Sequence, residues 1–460
     1  MSDRRVAIVG AGPAGAFAAA QLLRIGGGPD VDLYERLPTP WGLLRGGVAP
    51  DHHEIKRLDE TFDRDVLGPR CRFLGNVEVG TDVAHTDLMR HYTAVIYAVG
   101  AQTDKSLGIP GEDLPGSLPA TDFVGWYNGH PDRRELDPPL AGRRAVIIGN
   151  GNVAADVARM LTLGASELER TDTADHALEA LGSSGIAEVV VLGRRGPAQA
   201  AFTSAELREM GHLDGVDLVV HPAALELDSV SEEWLADEGT FTAHKNVELL
   251  REFAGRAPTG APRRIELRFL TSPVAIHGDG KVESIEVQRN RIERDDSGAL
   301  RARPVGDATE TIDCDLVLRS VGYQAVPLPD VPFDERNYVL PNEQGRVIDT
   351  GSGDPVPGVY AVGWIKRGPT GILGTNKRDA HETVTRLLED VDSLPAPEAP
   401  GVEAIDAMLA QKAPELVTLD GWRAIDSLER ERGEAADRPR VKLAAREELL
   451  DTARSQTVGS

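Results

Sequence analysis

The chain has 460 residues, enough for two or three domains with large cores, and at 41% hydrophobic and 27% charged its composition is that of an ordinary globular protein. A formal net charge of −24 argues against nucleic acid and anionic membranes as general partners. No apolar run reaches the ~18 residues that a membrane span needs, and two isolated cysteines, Cys71 and Cys314, exclude a dithiol relay, a chain-borne iron–sulfur cluster and a structural zinc site.

In chain order, the first predicted element is a strand over the apolar run Arg5 to Val9. It feeds Gly10-Ala11-Gly12-Pro13-Ala14-Gly15 and then an Ala-rich helical stretch. Between a strand and a helix, such a loop sets a pyrophosphate on the helix N-terminus. The strand begins so early that no leader peptide is expected, which predicts a cytoplasmic protein. The next apolar run, Val31 to Tyr34, ends in Glu35. An acid at that point accepts hydrogen bonds from ribose hydroxyls and repels a 2′-phosphate, so this site suits FAD or NAD. A Pro/Gly-rich loop over 38–50 follows, and the predicted strand from Ala94 is stopped by Gly100.

A second fingerprint, Gly149-Asn150-Gly151-Asn152-Val153-Ala154, follows the run Ala145 to Ile148. Here the next predicted strand, Glu188 to Leu192, ends in Gly193-Arg194-Arg195-Gly196. Two guanidiniums make charge-assisted bonds to a 2′-phosphate, so the second site suits NADP; the same pair also suits a solvated basic turn. The gap from Gly149 to Arg194 is 45 residues, long for a simple unit. Ala174, Ala177, Leu178 and Leu181 at i, i+3, i+4, i+7 spacing predict a helical insertion inside it.

Further strands stopped by glycine are predicted at Leu316 to Gly322 and at Val359 to Gly363, the latter followed by Trp364 and a helix from about Lys377. A Pro-rich hinge at 395–400 precedes a charged helical tail. These elements predict an α/β fold with two Rossmann-like dinucleotide-binding domains in a glutathione-reductase-like architecture. The expected division is 1–104 and 331–460 for a discontinuous FAD domain and 105–330 for the NADP domain. Two dinucleotide sites in one chain imply electron transfer between them.

Longer motifs carry a more specific signal. Trp41-Gly-Leu-Leu-Arg-Gly-Gly-Val-Ala-Pro-Asp-His52, Gly149 to Arg159, Gly193 to Pro197 with Ala201 to Glu209, and Gly363-Trp-Ile-Lys-Arg-Gly-Pro-Thr-Gly-Ile372 together resemble the adrenodoxin-reductase type of ferredoxin–NADP+ reductase, bacterial members included. With the helical insertion and the Arg438-Pro-Arg-Val-Lys442 tail, the resemblance spans nearly the whole chain. Gly46 and His53 depart from it, where the family usually has a larger residue and a proline.

The resemblance implies that Ala14, Glu35, Leu43 and Val79 line FAD beside Gly10, Gly12 and Gly15. Trp364, Gly371, Ile372 and Leu373 match the isoalloxazine end, although Trp364 also suits core packing. For NADP(H) it implies Asn150, Gly151, Asn152, Val153, Arg194, Arg195 and Glu206. His52, Asp156 and Glu209 match polar residues placed near the nicotinamide, as candidates to manage a proton or as a salt bridge fixing geometry. Arg208 matches a docking position for an acidic ferredoxin-like iron–sulfur protein. Arg251, Arg256, Arg263 and Arg264 are docking candidates on charge alone, and a solvated face explains them equally well.

The implied activity is hydride transfer from NADPH to FAD, then single electrons to the iron–sulfur partner, by a monomer. A flavin-dependent monooxygenase is the competing enzyme class, since Phe123-Val-Gly125 with His130 superficially matches a motif of those enzymes. A non-catalytic subunit that binds FAD and NADPH is the third reading.

Overall fold

Both glycine fingerprints follow a strand flanked on each side by a parallel neighbour, one in each of two separate sheets. The computed structural model describes residues 4–371 and 373–455. The chain forms two units: Met1–Thr103 with Asn128–Asp132 and Tyr323–Ser460, and Asp104–Tyr127 with Arg133–Gly322. The unit boundaries therefore fall after Thr103 and Gly322, where 104 and 330 were expected, and the short segment Asn128–Asp132 groups with the first unit.

In the first unit, Arg5–Val9 lies between Asp30–Tyr34 and Ala94–Tyr97, parallel to both, with Val9 opposite Tyr34 and Tyr97. Cys71–Leu74 and Pro355–Ala361 extend the sheet in parallel, and Arg346–Ile348 and Asn342–Glu343 add an antiparallel edge. Val6, Ala7 and Ile8 are fully buried. A sheet covered on both faces favours such an unbroken apolar run over alternation.

The second unit repeats the plan. Arg144–Ile148 lies between Glu188–Leu192 and Leu316–Arg319, in a six-stranded sheet whose neighbours are all parallel. A separate antiparallel sheet is formed by Thr271–His277, Ser284–Arg294 and Leu300–Asp313. The insertion forms two helices, Ala165–Leu168 and Asp175–Gly182, and buries Ala174, Ala177 and Leu181 as the spacing predicts.

The segment after residue 400 is more than a charged tail. Its helices Val402–Lys412, Leu419–Ala435 and Arg446–Ser455 bury Ile405, Leu409, Trp422, Ile425 and Leu449 within the first unit. The Pro-rich stretch is pinned: Ala399 donates its N–H to the Arg90 carbonyl (3.0 Å), and its own oxygen lies 2.7 Å from His91 Nδ1. Among the described residues, no helix is long and apolar enough to cross a membrane.

Candidate dinucleotide-binding sites

The first fingerprint is held by its neighbouring strands. Gly10 donates to the Tyr34 carbonyl (2.8 Å) and has φ +108°; a Cβ there would lie 2.5 Å from the Ala98 oxygen. Only glycine fits so close to the end of the Ala94–Tyr97 strand. The helix Pro13–Leu23 begins at Gly12 with no side-chain cap, leaving its first amides to an external acceptor. Glu35 accepts from Ala11 N (3.0 Å) and Leu37 N (3.1 Å), so it also fixes the loop. Burial raises its carboxyl pKa, against the opposing pull of these amides and Arg36.

The other residues expected to line FAD lie on several elements of this unit. Gly363 packs on Ala14, where a Cβ would come within 2.5 Å of the Ala14 Cβ. Leu43, 38% exposed, starts the short helix Leu43–Gly46, while Val79 is buried. Trp364 is half-buried and tilts against Tyr323 at 5.0 Å between ring centroids, so it does pack on another side chain. Gly371 is exposed at φ +85°, Leu373 opens the helix Leu373–Asp390 four residues earlier than expected, and Ile372 lies outside the described residues. At Gly46 a Cβ would meet only His130 Cδ2 at 3.7 Å, an ordinary contact, and His53 is exposed; neither departure disturbs the loop.

The second fingerprint has the same geometry. Gly149 donates to the Leu192 carbonyl (2.9 Å) at φ +129°, and a Cβ there would lie 2.0 Å from the Ser320 oxygen. The glycine-stopped strands read from the sequence are therefore the strands against which each fingerprint's first glycine packs. The helix Asn152–Thr162 again starts from a glycine, Gly151, with no side-chain cap. Asn150 Nδ2 is buried without a partner, and Asn152 Oδ1 accepts from Thr203 N (2.8 Å), fixing the start of the helix Ser204–Met210. Val153 is half-buried beside them.

The two strand-end signals differ in charge. Arg194 is exposed and Arg195 half-buried, and among the described residues neither guanidinium has an ion-pair or hydrogen-bond partner. Burial, then the neighbouring Arg194, lowers the Arg195 pKa. An unneutralised like-charge pair beside uncapped amides fits a phosphate-bearing ligand such as NADP, whereas the Glu35 carboxylate fits a ribose without that phosphate, as in FAD.

Sequence reasoning missed the hub of the remaining acids. Arg159, 1% exposed, pairs with Asp156 at 2.8 Å, with Glu206, and more loosely with Glu209 at 3.6 Å. Its i, i+3 spacing from Asp156 was the available signal. Asp156 and Glu209, read as proton-handling candidates, thus sit in an ion-pair cluster with Glu206. In the first unit, half-buried His52 immediately precedes the short helix His53–Lys56, and its side chain makes no capping hydrogen bond there.

Of the docking candidates, Arg208 is exposed on Ser204–Met210. Arg256 is engaged with Glu252 and the Phe253 ring, Arg263 with the Thr162 and Leu163 carbonyls, and Arg264 with Glu188; Arg251, Arg256 and Arg264 are all exposed, and among the described residues the Arg251 guanidinium has no ion pair or hydrogen bond. Phe123 is buried against Trp126 and Tyr127 inside the helix Ala120–Tyr127, so the monooxygenase-like motif is a packed core element. Cys71 and Cys314 are both buried, and desolvation pushes each thiol up to about 12, as inert core residues.

Two Rossmann-like units whose matched glycine turns end in opposite charges define a two-dinucleotide oxidoreductase. A family model described as pyridine nucleotide-disulphide oxidoreductase matches residues 4–195. The NADPH-ferredoxin reductase FprA of Mycobacterium leprae is 50% identical over 453 residues, covering 97% of each chain. The mitochondrial NADPH:adrenodoxin oxidoreductase of Salvelinus fontinalis is 40% identical over 99% of this chain and 92% of its own. A solved structure of Mycobacterium tuberculosis FprA in complex with NADPH superposes with a TM-score of 0.91 at 49% identity, covering 98% of this chain and 99% of that one. The chain belongs to the NADPH-ferredoxin reductase family of the adrenodoxin-reductase type.

Proposed function

We propose that this chain is an NADPH–ferredoxin reductase that holds FAD in its first unit and NADP(H) in its second. The observation that carries the reading is the matched pair of strand–glycine–helix turns, the next strand of the first sheet followed by Glu35 and the next strand of the second by Arg194 and Arg195, which among the described residues have no ion-pair or hydrogen-bond partner for their guanidiniums. FAD, when bound, takes a hydride from NADPH and releases electrons singly to an iron–sulfur acceptor.

The chain's own residues bind and orient. Gly10, Gly12 and Gly15 bring bare backbone to the flavin pyrophosphate, Glu35 takes the adenosine ribose, and Ala14, Leu43, Val79, Trp364, Gly371 and Leu373 form the remaining wall. Asn150 to Val153 and Glu206 receive the NADP backbone, with Arg194 and Arg195 on the 2′-phosphate. His52, Asp156 and Glu209 are the candidates for holding a proton near the nicotinamide; the Arg159 ion pairs support a positioning share for the two acids in that role. The acceptor is acidic and meets exposed Arg208, and the protein acts as a cytoplasmic monomer.

The purified holoprotein is expected to reduce cytochrome c with NADPH only when a ferredoxin is added. Ferredoxin-independent turnover coupled to oxygen uptake and an organic substrate would overturn the reading in favour of a monooxygenase.

A further inference from the structure

The basic turn Gly193–Gly196 presents an electrostatic problem. Two adjacent guanidiniums without a counter-ion repel each other, and a four-residue turn containing two glycines has little intrinsic stiffness. The structure resolves this through the backbone. Each carbonyl of the turn has a donor: Gly193 from Thr271 N (2.9 Å), Arg195 from Leu270 N (3.0 Å) and Gly196 from Gln199 N (3.1 Å). Among the described residues, the Arg194 carbonyl alone takes its donor from a side chain, Asn290 Nδ2 at 2.9 Å.

Asn290 is 3% exposed and lies on Ser284–Arg294 at the register shift between Gln288 and Asn290. Its Nδ2 also donates to Ser272 Oγ (2.7 Å). The Arg194 carbonyl is a pure acceptor, which fixes which end of the amide faces it. The Asn290 backbone N–H bonds the Leu270 carbonyl (2.7 Å), and Leu270 sits at φ +53°, a left-handed conformation unfavourable for a leucine. One residue therefore grips the turn twice, through its side chain and through the strained residue that holds Arg195.

We propose that Asn290 is a specificity-positioning residue: it holds the Arg194 backbone so that the arginine pair presents its guanidiniums to a 2′-phosphate. The antiparallel sheet of the second unit thereby serves coenzyme choice from outside the Rossmann-like core. This inference rests on the reading of Arg194 and Arg195 as the 2′-phosphate contacts.

The test uses the holoprotein and two competitive probes, 2′,5′-ADP and 5′-ADP, which differ only in the 2′-phosphate. Asn290→Asp keeps the side-chain shape and removes the donor; Asn290→Ala removes both. The 2′,5′-ADP inhibition constant is expected to rise at least fivefold in Asn290→Asp while that for 5′-ADP moves less than twofold, and the KM for NADPH is expected to rise by a larger factor than kcat falls. Should Asn290→Ala fail to fold, the isosteric variant decides. Equal weakening of both probes, or no change in either, would overturn the proposal. Arg194→Ala run in parallel separates the two failures. If it too leaves 2′,5′-ADP unaffected, the phosphate reading is at fault; if it weakens 2′,5′-ADP while Asn290→Asp does not, the positioning role is.

Discussion

Arg45 and Glu429, 384 residues apart in sequence, form a two-pronged ion pair at 2.8 and 2.5 Å, with the Glu429 side chain fully buried. Glu429 also accepts from Arg440 (3.1 Å) and from Leu443 N (2.8 Å). Arg45 lies in the short helix that starts with Leu43, a residue proposed to line FAD, so the C-terminal helices tie down that helix. Breaking a buried pair on one side costs about 3–5 kcal/mol, because the remaining charge is left uncompensated. Glu429→Gln is therefore expected to lower the thermal unfolding midpoint and to release flavin earlier on heating, followed by flavin fluorescence. An unchanged midpoint would contradict the bracing role.

The same network sets a pH dependence. Burial works to raise the Glu429 carboxyl, but Arg45 and Arg440 outweigh it and hold the group below its ordinary value. Asp132 behaves alike: burial is outweighed by Arg36 and Arg446, and its carboxyl falls from 3.8 to about 2. A carboxyl with a depressed folded pKa contributes stability above its unfolded value and loses it as pH falls through the folded one. Stability is expected to decline between about pH 4 and pH 2, measured as the midpoint of urea unfolding. Stability that stays flat through that window would contradict the assignment.

Glu35 carries the flavin assignment. Glu35→Arg places a cation where the ribose hydroxyls belong and removes the acceptor for Ala11 N. The variant is expected to purify largely as colourless apoprotein, read from visible absorbance. Full flavin occupancy would contradict the assignment of FAD to the first unit.

Arg194 and Arg195 carry the coenzyme preference. Losing a charge-assisted phosphate contact costs roughly 1.5–3 kcal/mol, or about one to two orders of magnitude in affinity. Arg194→Ala combined with Arg195→Ala is expected to raise the KM for NADPH at least tenfold and to change that for NADH little. Equal losses with both coenzymes would contradict a 2′-phosphate role.

Docking is expected to depend on ionic strength, since a local basic contact on a chain of net charge −24 is screened over about 8–10 Å at physiological salt. Ferredoxin-dependent cytochrome c reduction should fall steeply with added salt, and reduction of a small neutral quinone should fall much less. Arg208→Glu should reproduce the selective loss at low salt. Equal effects on both activities would contradict the docking site.

Local order explains what was legible in the sequence. Each glycine turn, its flanking strands and the charge that ends the next strand lie within one contiguous stretch, so the turn chemistry and the apolar runs encode them directly. Gly10 and Gly149 even announce the strand ends they approach, through the glycine stops at Gly100 and Gly322. Arg159, Asn290 and Glu429 were not legible as site-supporting residues. Each is a buried polar group with at least one partner from a distant segment, Glu206 for Arg159, Arg194 for Asn290 and Arg45 for Glu429, and neither periodicity nor a short motif reports such a long-range bond. The start of the helix at Leu373, ahead of the expected Lys377, was missed because Gly374 lowers helix propensity at that point and masks the boundary.

The most direct measurement is an anaerobic titration of the purified holoprotein with NADPH, followed by addition of an oxidised ferredoxin, with absorbance read throughout. Stoichiometric NADPH is expected to bleach the flavin band with no partner present, and added ferredoxin is expected to restore the band while its own iron–sulfur absorbance falls, two ferredoxins reduced for each NADPH. A flavin that NADPH does not bleach, or one that bleaches but passes no electrons to any ferredoxin tested, would contradict the proposed function.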